Sequence, residues 1–304
     1  MRRTTKIASF VILLLPLLGA GVGKLLGPGV LHQQRRELTP SLIAQADRAF
    51  GAVGATREDF SVRAPDGILL RGWKARAKSP TGNWVLLFHG VSDNRAGVLG
   101  HAEFLLGAGY SVVMMDARAH GASEGTMATY GWKERYDSQS VVDALEKTEK
   151  IGQLYALGES MGAAIALQSA GIEPRIEAVV AESSFRDLRE VTYDYAGLQW
   201  SVLLGKTVFR PAAIVAVYEA EKEGGFRFDD VSPAESVARR PFPVLLICGL
   251  SDHNIPARHT EAIFRAAVGR KELWLVRGGR PHGRSWSGAR GVRAASARLP
   301  AELS

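Results

Sequence analysis

The sequence predicts an α/β protein built on a mostly parallel, doubly wound sheet with helices on both faces. Short apolar runs recur along the chain, at Trp84–Phe88, Tyr110–Met115, Leu154–Leu157, Ile176–Ala181, Pro243–Cys248 and Glu272–Val276. They lack the alternation of a strand with one wet face, as expected of strands buried on both sides. Helix-like stretches fall between them, at Ala96–Ala108, Trp132–Lys150, Met161–Gly171 and Arg258–Val268. Strands and helices in alternation wind into a parallel sheet, and ligands then collect beyond the carboxyl ends of its strands.

The first residues follow a different logic. Met1–Lys6 is basic, and Ile7–Gly23 is an uncharged apolar run. That length stands at the short limit of a membrane span, which needs roughly 17–25 residues. The run is long for the core of a cleaved signal peptide and no clean small-residue cleavage site follows it. An uncleaved anchor is the favoured reading, with the rest of the chain outside the cytoplasm; secretion after cleavage is the alternative. Gly19, Gly21 and Gly23 superficially resemble a dinucleotide-binding loop, but they sit in a membrane-like run with no preceding strand, so that motif is set aside.

Residues 25–59 read as a connector with a short helical piece at Ser41–Phe50. Two extended runs, Phe60–Ala64 and Ile68–Lys74, are joined through Ala64-Pro65-Asp66-Gly67, whose proline and glycine favour a tight hairpin turn. The interval 186–240 breaks the strand–helix rhythm. It holds helical patches such as Val191–Trp200 and Phe209–Glu223 but no strand, and it reads as a helical lid.

At 304 residues, with 46% hydrophobic and 23% charged residues, the chain has the composition of one large globular domain. A single cysteine, Cys248, excludes an internal disulfide framework and lies in a buried-strand pattern. The net charge of +7 comes from scattered arginines not interleaved with aromatics, which argues against a nucleic-acid partner. A solvated surface, one that could face anionic lipid headgroups, is the plainer account.

The chemistry centres on Gly158-Glu159-Ser160-Met161-Gly162. The pentapeptide follows a strand and opens a helix rich in small residues, which is the setting of a nucleophile elbow. The turn is sharp, so Gly158 and Gly162 must lack side chains, and Ser160 then projects from the sheet at a helix N-terminus. A serine hydroxyl needs a base, and the base needs an orienting carboxylate. Asp252 follows one late strand and His282 follows the next, in the chain order Ser160, Asp252, His282. Two amides should stabilise an oxyanion: Met161, directly after the nucleophile, and Val91, in the turn His89-Gly90-Val91 after the first long strand. Gly90 permits close backbone approach there, and His89 reads as a structural residue bonding the loop. Asp116–Ser123 reads as an internally bonded turn bracing the site. A metal at His120 and Asp116 lacks a suitably spaced third ligand.

The ordered set HG, DxRxHGxS, GxSMG, GxxDxxxP and a late histidine resembles the α/β-hydrolase superfamily. The likeness is greatest to membrane-anchored bacterial Bem46-like and serine aminopeptidase-like hydrolases, over roughly Phe60 to His282. This resemblance implies an α/β-hydrolase domain over 60–290 with its lid at 186–240, preceded by the membrane segment 1–24. It also implies the triad and oxyanion donors named above, no cofactor, and esterase, lipase or peptidase chemistry on a small-molecule or lipid-like acyl substrate. The tail departs from the family. Gly283–Ser304 is rich in arginine and glycine where an amphipathic closing helix is usual, and 291–304 is atypical throughout.

The primary expectation is a serine hydrolase cleaving carboxylic esters of small to moderate size through an acyl-enzyme. An amidase or peptidase would use the same triad, with Glu219, Glu221 or Glu223 available to hold a substrate amine. A catalytically silent anchored binding protein of the same fold is the third reading. The sequence does not disclose oligomeric state.

Overall fold

A computed structural model describes residues 21–196, 207 and 209–276. The chain divides into two compact units, Gln33–Arg186 with Val231–Ser304, and Met1–His32 with Asp187–Asp230.

The larger unit is organised by one eight-stranded sheet: β1 (Thr56–Arg63), β2 (Leu69–Arg76), β3 (Trp84–Phe88), β4 (Ser111–Met115), β5 (Leu154–Glu159), β6 (Ile176–Glu182), β7 (Val244–Gly249) and β8 (Lys271–Val276), in the spatial order β1-β2-β4-β3-β5-β6-β7-β8. β1 and β2 form the expected hairpin, and β2 joins β4 antiparallel. The remaining neighbours pair in parallel. The predicted apolar runs match these strands to within a residue or two. β1 starts at Thr56, ahead of Phe60, because Thr56–Asp59 pair with Trp73–Arg76 although most of them face water. Charged residues hid that half of the strand.

Alternation along the inner strands feeds two cores. On β5, Leu154 and Ala156 join one apolar layer with Val141, Val142 and Leu167. Tyr155 and Leu157 join the other, with Leu105, Phe50 and Trp73. Helices α1 (Pro40–Ala52), α2 (Leu99–Gly107), α3 (Glu134–Glu146), α4 (Met161–Ile172), α7 (Pro233–Arg239) and α8 (Ala257–Ala266) belong to this unit. α4 is buried from Met161 through Ala170, which its small residues allow. α1 lies in the segment read as a connector. Its Phe50 meets Trp73 edge to face at 6.4 Å, so it is part of the core.

The smaller unit is helical in its described residues: 21–31, α5 (Leu188–Tyr195) and α6 (Arg210–Gly224). The expected lid therefore splits: Asp187–Asp230 belongs here, whereas α7 belongs to the larger unit. No helix among the described residues is long and apolar enough to cross a membrane, and residues 1–20 of the proposed span lie outside them.

Candidate active site

Ser160 follows the last residue of β5 and occupies the N-cap position of α4 with φ +54° and ψ −118°. A side-chain-bearing residue avoids this region unless its surroundings fix it there. The fixing contacts are visible. Ser160 N–H donates to the Glu182 carbonyl at 2.8 Å, across to the next strand end. A Cβ on Gly162 would lie 2.2 Å from the Phe88 carbonyl oxygen and 2.6 Å from that of His89. A Cβ on Gly158 would meet the Gly162 carbonyl carbon at 2.3 Å. Both glycines are thus required by close backbone approach. The Ser160 hydroxyl makes no capping bond to the helix it precedes, and the residue is buried.

The turn after β3 packs against this elbow. Val91 and Met161 share one apolar cluster with Ile165, Phe88 and Tyr130. His89 is buried; its Nδ1 bonds the Gly90 carbonyl at 2.8 Å and its Nε2 accepts the Ala117 N–H at 3.0 Å. Because Nε2 accepts an amide proton, the ring proton sits on Nδ1 and donates to Gly90. Burial and the neighbouring His120 push His89 down to about 4, so the ring stays neutral.

Asp116 braces the site from the end of β4. Its carboxylate accepts Arg95 N–H at 2.7 Å, the Arg95 guanidinium at 2.8 Å and Ala122 N–H at 2.7 Å. Ser123 Oγ donates to the Asp116 carbonyl at 2.7 Å. The carboxylate is committed to this turn, and no group of potential metal ligands assembles among the described residues.

Asp252 follows β7. Its Oδ1 accepts the Asn254 and Ile255 amides, each at 2.9 Å, in an Asx turn. That turn employs only Oδ1. With strand order β5-β6-β7, Asp252 stands two strand spacings from Ser160, about 10 Å along the sheet. One imidazole hydrogen-bonded at both nitrogens bridges a gap of that order. His282 lies outside the described residues. The other histidines of this unit have different settings. His89 and His120 bond backbone at Nδ1, His259 Nδ1 accepts Arg186 N–H at 3.3 Å, and His253 is an exposed neighbour of Asp252.

A cluster that sequence reasoning missed lies beside Ser160. Glu159 and Glu182 are register partners at the ends of adjacent parallel strands. The alternation that sends Leu157 and Val180 into the second core sends both carboxylates to the same face. There His101 on α2 is buried, with Nε2 3.1 Å from Glu182 Oε1. Burial opposes the His101 imidazolium, but the Glu182 carboxylate outweighs it and raises its pKa. Burial pushes the Glu159 carboxyl up to about 7, further helped by Glu182. The parity of the strands was the available signal. His101 gave none, since its partner is remote in sequence.

Comparison with known proteins agrees with this architecture. Residues 79–224 match the family model described as serine aminopeptidase, S33. The uncharacterised protein YqkD of Bacillus subtilis is 29% identical over 228 residues, covering 72% of this chain and 71% of that protein. An esterase from Pyrococcus furiosus superposes with a TM-score of 0.70 at 20% identity, over 90% of this chain and 99% of its own. Est1E of Butyrivibrio proteoclasticus, solved with ferulic acid bound, gives 0.62 at 18% identity, over 80% and 98%. Sheet order, the turn between β5 and α4 and these likenesses together show that the chain has the α/β-hydrolase fold.

Proposed function

We propose that this chain is a serine hydrolase that cleaves carboxylic esters of small to moderate size through an acyl-enzyme. The observation that carries the proposal is Ser160 itself: a non-glycine residue held at φ +54° at the N-cap of α4, with a hydroxyl that caps nothing. A helix N-terminus presents unpaired amides and a positive dipole end, so charge developing on an adjacent oxygen is stabilised.

In this mechanism His282 takes the Ser160 proton as Oγ attacks the ester carbonyl, and Asp252 holds the imidazole with the oxygen its Asx turn leaves over. The Val91 and Met161 amides receive the oxyanion. Collapse expels the alcohol, protonated by His282, and water attacks the acyl-enzyme under the same base to regenerate Ser160. His282 is chosen because the neighbouring histidines of the unit are spent on backbone or on Glu182, or are exposed beside Asp252.

The family model's aminopeptidase description favours a peptidase as the second reading. Two of the three candidate amine-holding acids are engaged within their own unit, which argues for the ester. Glu221 is bound by Arg189 and by Phe228 N–H at 2.7 Å, and Glu223 meets His32 at 2.7 Å. We also propose that Ile7–Gly23 tethers the chain to a membrane with the hydrolase unit extracytoplasmic, on the strength of its apolar sequence.

The test is a panel of p-nitrophenyl esters and aminoacyl amides on purified protein, with fluorophosphonate labelling. Ser160→Ala should abolish labelling and lower ester turnover by at least about 1000-fold. A folded wild-type protein that never labels, or turnover that survives the substitution, overturns the proposal. Faster cleavage of the amides than of the esters selects the peptidase.

A further inference from the structure

The five residues Gln33–Glu37 contain no element of regular structure, yet they bond to two separate loops at the carboxyl end of the sheet, those that follow β3 and β4. The Gln33 side-chain amide donates to Tyr130 OH at 2.8 Å, and its carbonyl oxygen accepts from Ser92 Oγ at 3.4 Å. Arg35 donates to the Ser123 carbonyl at 2.7 Å and the Gly125 carbonyl at 2.9 Å. Arg36 meets Asp93 at 2.7 Å, and the buried Asn94 side chain donates to the Arg36 and Glu37 carbonyls at 3.3 and 3.2 Å.

Two of the residues so held are in strained backbone. Ser92 has φ +58° and Tyr130 φ +55°. Such conformations are unfavourable for residues with side chains and persist only where several contacts over-determine them. They are also the residues that bracket the proposed oxyanion site. Ser92 directly follows Val91, and the Tyr130 ring belongs with Val91 to the cluster around Met161 and Ile165. The Val91 N–H lies on the Gly90–Val91 peptide, whose carbonyl is held by His89 Nδ1 at 2.8 Å. The exit of the same turn, Ser92 with its left-handed backbone, is held from outside it: Gln33 links Ser92 to Tyr130 in the next loop, and Arg36 bonds the following residue, Asp93.

We infer that Gln33, with Arg36, is a positioning residue of the hydrolytic site, tying Ser92 to Tyr130 and so holding the exit of the turn that presents the Val91 amide. The inference rests on the reading of Ser160 as nucleophile and of Val91 and Met161 as oxyanion donors. It assigns a catalytic consequence to the segment that joins the N-terminal residues to the sheet. Neither residue touches the substrate. Their effect is on the geometry of a donor that matters only once the carbonyl oxygen becomes an oxyanion. The loss is therefore specific to the transition state.

The experiment uses the full-length chain, a short-chain p-nitrophenyl ester, and the second-order rate of fluorophosphonate labelling. Removing an oxyanion donor outright costs roughly 100- to 1000-fold, so a donor left in place but unsteadied should cost about 10-fold. Gln33→Ala is expected to lower kcat about 10-fold with KM changed less than about 2-fold, and to slow labelling in parallel. Gln33→Ala/Arg36→Ala should lose more. Tyr130→Phe should weaken the site in the same way, and Gln33→Ala/Tyr130→Phe should be no worse than the poorer single variant, because both cut one link. Arg239→Ala, which removes an exposed pair with Glu235, should match the wild type. Unchanged kcat in both Gln33→Ala and Tyr130→Phe, or a change confined to KM, overturns the inference. So does additivity of the two substitutions. If Gln33→Ala fails to fold, Tyr130→Phe decides alone. Turnover that survives Ser160→Ala shows instead that the hydrolase reading has failed, and this inference falls with it.

Discussion

Ser160 is held between two glutamates: Glu159 precedes it, and the backbone carbonyl of Glu182 accepts its amide proton at 2.8 Å. The side chains of the pair share one face with His101, so the backbone that presents the proposed nucleophile adjoins a buried titratable cluster. Glu159 is the member whose stability effect can be signed. Its carboxyl ordinarily titrates near 4.5 and here is raised to about 7, chiefly by burial. A raised acid contributes full stability below its unfolded value and loses it as the pH rises through the folded one. Ionised Glu159 therefore weakens the fold between about pH 4.5 and 7. Glu159→Gln keeps the shape and removes the charge. Its melting temperature should exceed that of the wild type at pH 8, and the difference should shrink towards zero near pH 4.5. Thermal unfolding across that range checks it. A difference that is constant with pH, or that grows as the pH falls, sinks the assignment.

At the scale of elements, Arg118 joins three parts that are distant in sequence. From the loop after β4 it donates to both Asp137 oxygens on α3, at 2.8 and 2.6 Å, and to Asp66 in the β1–β2 turn at 2.9 Å. Asp66 was legible as a turn residue from its proline and glycine neighbours, and Asp137 as part of a helix. Their meeting on Arg118 was not, because it depends on the order of strands in the sheet. Asp137 is buried, and burial raises its carboxyl to about 6 in spite of the guanidinium. Deleting one partner of a buried ion pair strands the other charge, at a cost of about 3–5 kcal/mol. Arg118→Met should be destabilised by about that amount at pH 8. It should recover part of it at pH 5, where Asp137 can take up a proton. Denaturant unfolding at the two pH values measures this. Equal losses at both would mean that Asp137 does not carry the cost.

For the whole molecule, the parallel sheet, its helices and the elbow could be read from the sequence because each is local: apolar runs of strand length, glycines at a tight turn, a small-residue helix behind them. What was not legible has a different cause. A helix at Ser41–Phe50 could be read, but its place in the core and the start of β1 could not, because their apolar residues are few and are satisfied by Trp73 and its neighbours, far along the chain. The lid interval was divided between two units for the same reason, since only the fold shows which helix packs on which. The smaller unit carries its own sequence device, Gly23-Lys24-Leu25-Leu26-Gly27, in which residues four apart lie on one helical face. Both glycines abut α6: a Cβ on Gly23 would stand 2.3 Å from the Ala212 carbonyl oxygen, and one on Gly27 would stand 2.8 Å from Glu219 Cβ. The first clash is with backbone, which has little room to yield. Gly23→Val should therefore separate these helices while leaving the sheet intact, since the apolar layers of the larger unit do not include them. Overpacking of this kind costs about 1–3 kcal/mol. Amide hydrogen exchange should accelerate by roughly 10-fold or more along α6 and remain unchanged in β5 and β6. Faster exchange in those strands as well would show that the two units unfold as one.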